Sequence, residues 1–208
     1  MGNLLQSGDF DTLRTSSDVS AAELRNAPRF TILIRAAKLI AGHGEFLCVI
    51  RDASDTGFSA RIFHPLPKQA DMIVELQNGE RYAAEMVWQN EDRAGFRFAR
   101  SIDVKTIIES SGRFAKRPVR LNVSFPAQIE ANGRAEQVTI LNISQQGAQV
   151  TGATSYAIDE QVKLCAAGMR DTQAKVRWRR GGACGLVFEE TFQFGELARI
   201  VRSFQAEC

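Results

Sequence analysis

The stretch Asn142-Ile143-Ser144-Gln145-Gln146-Gly147 has a counterpart 90 residues upstream, Asp52-Ala53-Ser54-Asp55-Thr56-Gly57, and both read [DN]xSxxG. Ahead of each stands an RxxxR segment: Arg25-Asn26-Ala27-Pro28-Arg29 and Arg113-Phe114-Ala115-Lys116-Arg117, 88 residues apart. Behind each, a tryptophan precedes a Gly-x-x-Phe segment by seven residues, Trp88 before Gly95-Phe96-Arg97-Phe98 and Trp178 before Gly185-Leu186-Val187-Phe188, again offset by 90. Three anchors in one order at a nearly constant offset mark an internal duplication. The halves divide near Ser111-Gly112, giving a first domain over 24–110, a second over 111–208 and a flexible lead-in over 1–23.

Each half reads as short strands, since apolar and β-branched stretches alternate with Gly, Asn and Asp turns. In the first half they cover about Phe30–Ile40, Glu45–Arg51, Gly57–Phe63, Asp71–Leu76, Arg81–Trp88 and Ala94–Ala99. In the second they cover about Val119–Ile129, Ala135–Leu141, Gly147–Thr151, Gln161–Cys165, Ala174–Trp178 and Ala183–Phe188. Six strands at this spacing favour a closed barrel, because closure removes edge strands. A short linker helix is predicted over Asp103–Ser110. A longer C-terminal helix is predicted over Thr191–Gln205, where Phe194, Leu197, Ile200, Val201 and Phe204 recur at helical spacing. The fold class is therefore all-β dominated, two tandem six-stranded antiparallel barrels with two helices. Trp88 and Trp178, recurring on regular strands, are read as barrel core.

With 44% hydrophobic and 24% charged residues the chain is globular, and its net charge of +2 gives no reason to expect a nucleic-acid or membrane partner. The charge is uneven: residues 1–110 carry 13 Lys/Arg against 15 Asp/Glu, and residues 111–208 carry 13 against 9, so the second half suits an anionic ligand better. Met1–Ser20 holds no long apolar run and no basic lead, so the sequence predicts a cytoplasmic address without stable membrane insertion. Cys48, Cys165, Cys184 and Cys208 lie far apart, with only His43 and His64 as helpers, and no metal site is expected. The run Arg177-Trp178-Arg179-Arg180 could mimic a nucleic-acid patch with an interleaved aromatic. Its acidic counterpart, Trp88-Gln89-Asn90-Glu91-Asp92, argues against a shared role of that kind.

The chemistry of the repeated signature suits a purine nucleotide. Two guanidiniums in RxxxR offer planar forks that match a phosphate and equally the O6/N7 edge of guanine. The carboxylate or amide of [DN]xSxxG can accept from guanine N1–H and N2–H, the serine can bond phosphate or backbone, and glycine permits a tight bend.

RxxxR followed about two dozen residues later by [DN]xSxxG resembles the ligand signature of the PilZ family: Arg29 to Asp52 is 23 residues and Arg117 to Asn142 is 25. The likeness spans about Leu24–Arg100 and Gly112–Gln205. It implies a split barrel whose N-terminal arginine loop wraps cyclic di-GMP, singly or as a stacked pair, against the barrel's outside. Carried over, Arg113 and Arg117 would grip phosphate and guanine, Asn142 and Ser144 would hold the other guanine face, and Gly147 would turn the strand. Arg25, Arg29, Asp52, Ser54 and Gly57 would be the counterparts in the first half. Asp55 would set a second carboxylate beside the ligand's phosphates, whereas the second turn has neutral Gln145 and Gln146, so the C-terminal site is favoured.

Neither a phosphate-binding P-loop, a GxSxG elbow, an HExxH pair nor GxGxxG occurs, which makes a binding module rather than an enzyme the economical reading, with no cofactor. The resemblance implies a second-messenger receptor that passes ligand capture to an unidentified protein partner. The competing reading is an interaction scaffold of duplicated barrels in which one or both ligand sites have lapsed.

Overall fold

The computed structural model describes residues 30–42, 44–68, 71–109, 118–153 and 155–206. The first half contains β1 (Phe30–Ala41), β2 (Gly44–Ser54), β3 (Gly57–Ile62), β4 (Asp71–Leu76), β5 (Arg81–Asn90) and β6 (Arg93–Phe98). These close into an antiparallel barrel in the order β1-β2-β3-β6-β5-β4. After the helix α1 (Val104–Glu109) come β7 (Leu121–Ala131), β8 (Arg134–Ser144), β9 (Gly147–Thr151), β10 (Gln161–Cys165), β11 (Thr172–Arg180) and β12 (Ala183–Phe188). They close in the corresponding order, β7-β8-β9-β12-β11-β10, and α2 (Phe194–Ala206) ends the described chain. The architecture expected from the sequence is present: two six-stranded barrels, a short helix between them and a C-terminal helix.

The barrels form because the apolar residues fall with period two. In β4, Met72, Val74 and Leu76 are buried while Asp71 and Ile73 face out. In β11, Thr172, Ala174 and Val176 are buried in the same alternation. The first core centres on Leu39, Ile50, Phe58 and Val74, with Phe58 stacked on Phe96 at 4.7 Å between centroids. The second centres on Ile129, Ile140, Val150 and Leu164. Each such aliphatic or aromatic side chain, fully buried, contributes about 1.5–3 kcal/mol.

Among the described residues, α2 and β2 join the barrels, and Phe63 from the loop after β3 packs against the second core as well. The apolar stripe of α2 buries Leu197, Ala198, Val201 and Phe204, and Phe204 stacks on Phe125 of β7 at 3.8 Å. From its last turn Gln205 Nε2 donates to the carbonyl of Glu45 on β2, at 3.0 Å. Leu47, also on β2, is 2% exposed and packs in the core cluster of the second barrel. The Glu45 carboxylate clasps the second barrel directly: the Asn122 backbone N–H donates to Oε2 at 2.6 Å and the Asn122 side chain to Oε1 at 2.8 Å. Glu45 is also held by Lys38 at 3.0 Å, and Lys38, itself buried, reaches Glu75 at 3.1 Å.

Trp88 and Trp178 are not core residues. They are 44% and 41% exposed on the outer barrel walls. The reason is a β-bulge in each copy, between Met86 and Trp88 and between Val176 and Trp178. The additional residue, Val87 or Arg177, breaks the alternation and turns the indole outward.

Candidate functional site

The signature forms the tip of a hairpin. Ser54 pairs with Gly57, and Ser144 with Gly147, so the loop is the dipeptide Asp55-Thr56 or Gln145-Gln146. A bulge sets each one up, between Ile50 and Asp52 and between Ile140 and Asn142. None of the four loop residues takes the positive φ that two-residue hairpins usually use. The serines close the turn instead: Ser54 Oγ donates to the Gly57 carbonyl at 3.3 Å and Ser144 Oγ to the Gly147 carbonyl at 3.1 Å. Both are buried, 2% and 5% exposed. Gly57 and Gly147 also lack a positive φ, so the need for glycine is one of close approach: a Cβ would overlap the Phe96 or Leu186 carbonyl oxygen on the neighbouring strand.

The loop residues tie the hairpin to the chain that follows. The Asp55 carbonyl accepts from Ile102 N at 2.9 Å, and its carboxylate accepts from Val104 N, the first residue of α1, at 3.2 Å. The Gln145 carbonyl accepts from Phe192 N at 2.9 Å, and its side chain donates to the Phe192 carbonyl at 2.9 Å. The Asp55 carboxylate, expected beside a ligand's phosphates, is thus engaged with the start of the linker helix.

On the second barrel a cleft of about 250 Å³ opens on the outer wall next to this hairpin. Asn142, Ser144 and Gly147 line it, together with Arg120, Gln149, Arg177 and Trp178. Trp178 lies over Gly185, where a Cβ would overlap the indole nitrogen, so the glycine is what allows the ring to lie against the wall. Arg177 Nη1 donates to Asp159 Oδ1 at 3.2 Å, an exposed pair worth little in stability. Asn142 Nδ2 donates to Gln149 Oε1 at 2.8 Å. Pro118, at the cleft's edge, directly follows Arg117 in the chain. Arg113 and Arg117 themselves, like Arg25 and Arg29, lie outside the described residues. A planar indole, an amide edge and two guanidiniums facing one cleft can stack a base, read its edge and neutralise phosphate.

The strand ladder adds Arg120, which pattern matching missed. Phe30 pairs with Ala53 and Leu121 pairs with Ile143, so Phe30 and Leu121 occupy equivalent places ahead of the signature serine. The residues just before them are Arg29 and Arg120. In the second copy the pattern RxxxR thus ends four residues before the first paired residue, Leu121, whereas in the first copy it ends one residue before Phe30. Arg113, Lys116, Arg117 and Arg120 together place four cations within eight residues.

The corresponding wall of the first barrel carries its guanidinium at a different place, with Arg97 where Val187 lines the second. Val87 stands where Arg177 does, and Ser59 where Gln149 does. The Ser59 hydroxyl donates to Asp52 Oδ2. Trp88 lies over Gly95 as its counterpart lies over Gly185. Arg97 is paired with Glu85 across the ladder at 2.6 Å.

The remaining chemistry-bearing side chains are quiet. Burial pushes the Cys48 thiol up to about 12 and, with help from Asp171, the Cys165 thiol up to about 11, so neither is a thiolate at neutral pH. His64, in the loop after β3, is buried with its ring edge-on to Phe46, and burial lowers its pKa. His43 lies outside the described residues. Among the described residues no three His, Cys, Asp or Glu side chains gather at a metal-sized site, and no helix is long and apolar enough to cross a membrane.

Comparison with known proteins returns the same duplication. The profile of the PilZ domain matches residues 23–111 and again 112–205. The search of curated proteins returns no match. Among solved structures the chain is similar to the Borreliella burgdorferi PlzA protein in complex with c-di-GMP, at 10% identity, covering 88% of this chain and 95% of that one, with a TM-score of 0.35. It is similar to the Bacillus subtilis inhibitor of motility MotI/DgrA, at 15% identity, 85% and 98% coverage and a TM-score of 0.37. It is also similar to Escherichia coli YcgR in complex with c-di-GMP, at 12% identity, 83% and 84% coverage and a TM-score of 0.32.

Proposed function

The chain belongs to the PilZ-domain family, a family of cyclic di-GMP receptors rather than enzymes, and on that premise we propose that its second barrel is the working receptor site. In this reading Arg113 and Arg117 close over the ligand from the segment before β7, and Arg120 and Arg177 neutralise its phosphates. Asn142 reads guanine, Trp178 supports a base, and Ser144 and Gly147 keep the hairpin that carries Asn142. The observation that carries the reading is the cleft itself, where Asn142, Trp178, Arg120 and Arg177 meet. The first barrel, with Arg25, Arg29, Asp52, Ser54 and Gly57, keeps the hairpin but has Val87 in place of Arg177, which favours a scaffold role for it.

One charge-assisted hydrogen bond contributes about 1.5–3 kcal/mol, and several arginines must act together to repay the order they lose on binding. Titration calorimetry with cyclic di-GMP is the test. Arg117→Ala is expected to weaken binding at least tenfold, corresponding to about 1.4 kcal/mol. Unchanged affinity and stoichiometry in that variant sinks the assignment.

The output of capture is a change in how the barrels sit, read by a cytoplasmic protein partner. Asn122, which the Glu45 carboxylate clasps, is the ladder partner of Asn142 and stands two residues beyond Arg120. A ligand drawn onto Asn142 and Arg120 pulls on the strand end that holds the first barrel. Small-angle scattering should differ with and without saturating ligand; identical profiles rule the coupling out.

A further inference from the structure

The wall of the first barrel that meets the second carries a charge group its duplicate lacks. The ladders set Lys38 opposite Leu47 and Glu75, and in the corresponding places of the second barrel they set Gln128 opposite Gln137 and Cys165. In the same way Glu45, opposite Ile40, corresponds to Ala135, opposite Glu130. One lysine between two carboxylates therefore stands where the copy has an amide, a methyl and a thiol. The second barrel closes without these charges, so barrel closure does not require them.

The charges converge on one point across the seam. Lys38, its side chain 5% exposed, reaches Glu45 Oε1 at 3.0 Å and Glu75 Oε1 at 3.1 Å. Glu75 is held in turn by Arg81 at 2.6 Å, which fixes the group from behind. The Glu45 carboxylate, so placed, accepts both the backbone and the side-chain N–H of Asn122. A carboxylate only accepts, so the nitrogen of the Asn122 amide is the end that faces it. Beyond Asn122 the ladder of β7 with β8 breaks at a bulge and resumes at Phe125. Leu121 and Asn122, with Arg120 just before them, thus form a short piece of strand set apart from the rest of β7 and tied to the first barrel. That piece pairs with Asn142 and Ile143, and Arg120 and Asn142 both line the cleft.

We infer that Lys38 and Glu45 of the first barrel are a brake on the ligand site of the second. Lys38 is the positioning residue that keeps the Glu45 carboxylate on Asn122, and this tie opposes the movement by which Arg120 and Asn142 close on a cyclic dinucleotide. The inference rests on the second-barrel receptor reading. Coupling between two equilibria is reciprocal, so a ligand that works against the tie is bound more tightly once the tie is gone. Neither Lys38 nor Glu45 lines the cleft, and their effect is carried by Asn122 alone.

The test is calorimetry of the full chain with cyclic di-GMP. Lys38→Gln combined with Glu45→Ala gives the first barrel the residues that the second carries at these places, leaves the net charge unchanged and keeps Glu75 paired with Arg81. This double variant is expected to bind about fivefold more tightly or better, the lower end of ordinary coupling between sites. A damaged fold weakens binding, so a gain in affinity separates a brake from a support. Glu45→Gln and Glu75→Gln separate the tie from simple charge, since each removes one negative charge from the same group and only the first takes an acceptor from Asn122. Glu45→Gln should tighten binding about threefold, whereas Glu75→Gln, acting through screened charge alone, should stay within about 1.5-fold of the wild type. Unchanged or weaker binding by a folded double variant overturns the brake and leaves the receptor reading standing. Equal gains in Glu45→Gln and Glu75→Gln overturn it as well. If the double variant does not fold, the two single variants decide, and no gain in Glu45→Gln overturns the brake. A wild-type chain that binds no cyclic di-GMP removes the receptor reading and this inference with it.

Discussion

The two signature hairpins agree in the features that hold a barrel together, and the walls beside them differ at several outward positions. Ser54 and Ser144 make the same bond to the glycine carbonyl three residues on, and Gly57 and Gly147 make the same close approach to the neighbouring strand. Opposite these constants stand Arg177 against Val87, Gln149 against Ser59, and an arginine pattern displaced by three residues. A serine and glycine that recur because the turn needs them testify to the fold. They would persist in a barrel that had lost its ligand.

Substitution at the shared glycines should give the largest effects, and equal ones. Gly147→Val and Gly57→Val each force a side chain into a strand carbonyl, and overpacking of this kind costs about 3 kcal/mol or more. Urea titration should show comparable losses in both variants, and a loss confined to one would break the symmetry argued for the hairpins. Next come the cations that set the barrels apart. Arg120→Ala should weaken cyclic di-GMP binding tenfold or more, about 1.4 kcal/mol, while Arg29→Ala changes it less than about twofold. Equal losses in calorimetry would restore the first barrel to the status of a full site. Val87→Arg sharpens the contrast from the other side, by giving the first wall the guanidinium that Arg177 gives the second. A second binding event, weaker than the first, is expected in the isotherm.

The smallest effect concerns acid. His64 stands in the loop after β3 with Arg202 of α2 nearby, and burial lowers its pKa below the usual value of about 6.5. The unfolded chain therefore binds the proton more readily, so stability conferred by the neutral ring is complete above about pH 6.5 and declines as the pH falls below it. His64→Phe should flatten the decline of the urea midpoint between pH 7 and 5. An unchanged slope would show that His64 is hydrated in the folded chain.

Much of this was legible in the residues. Period-two runs such as Asp71–Leu76 specify strand and inward face together, and the stripe Leu197, Val201, Phe204 specifies a helix with one face to cover. What escaped depends on partners that are distant or on breaks in the period. The bulges at Trp88 and Trp178 reverse the face of each indole, and no local residue announces a bulge of that kind. Asp55 finds its partner at Val104, 49 residues on. Arg120 left a trace: Arg29 to Asp52 is 23 residues and Arg117 to Asn142 is 25, whereas Arg120 to Asn142 is 22. The unequal intervals hint at a shifted register. Gln149 left none, because a polar residue at an outward strand position looks like any solvated side chain.

Leu47 belongs by sequence to the first barrel and by packing to the second core. A residue shared in this way turns two domains into one melting unit, since unfolding either barrel strips a wall from the other. A single calorimetric transition is the expected signature. On the proposed receptor reading, capture would work the barrels as a hinge: they would tilt about Leu47 and α2, and a partner would sense an angle rather than a separation.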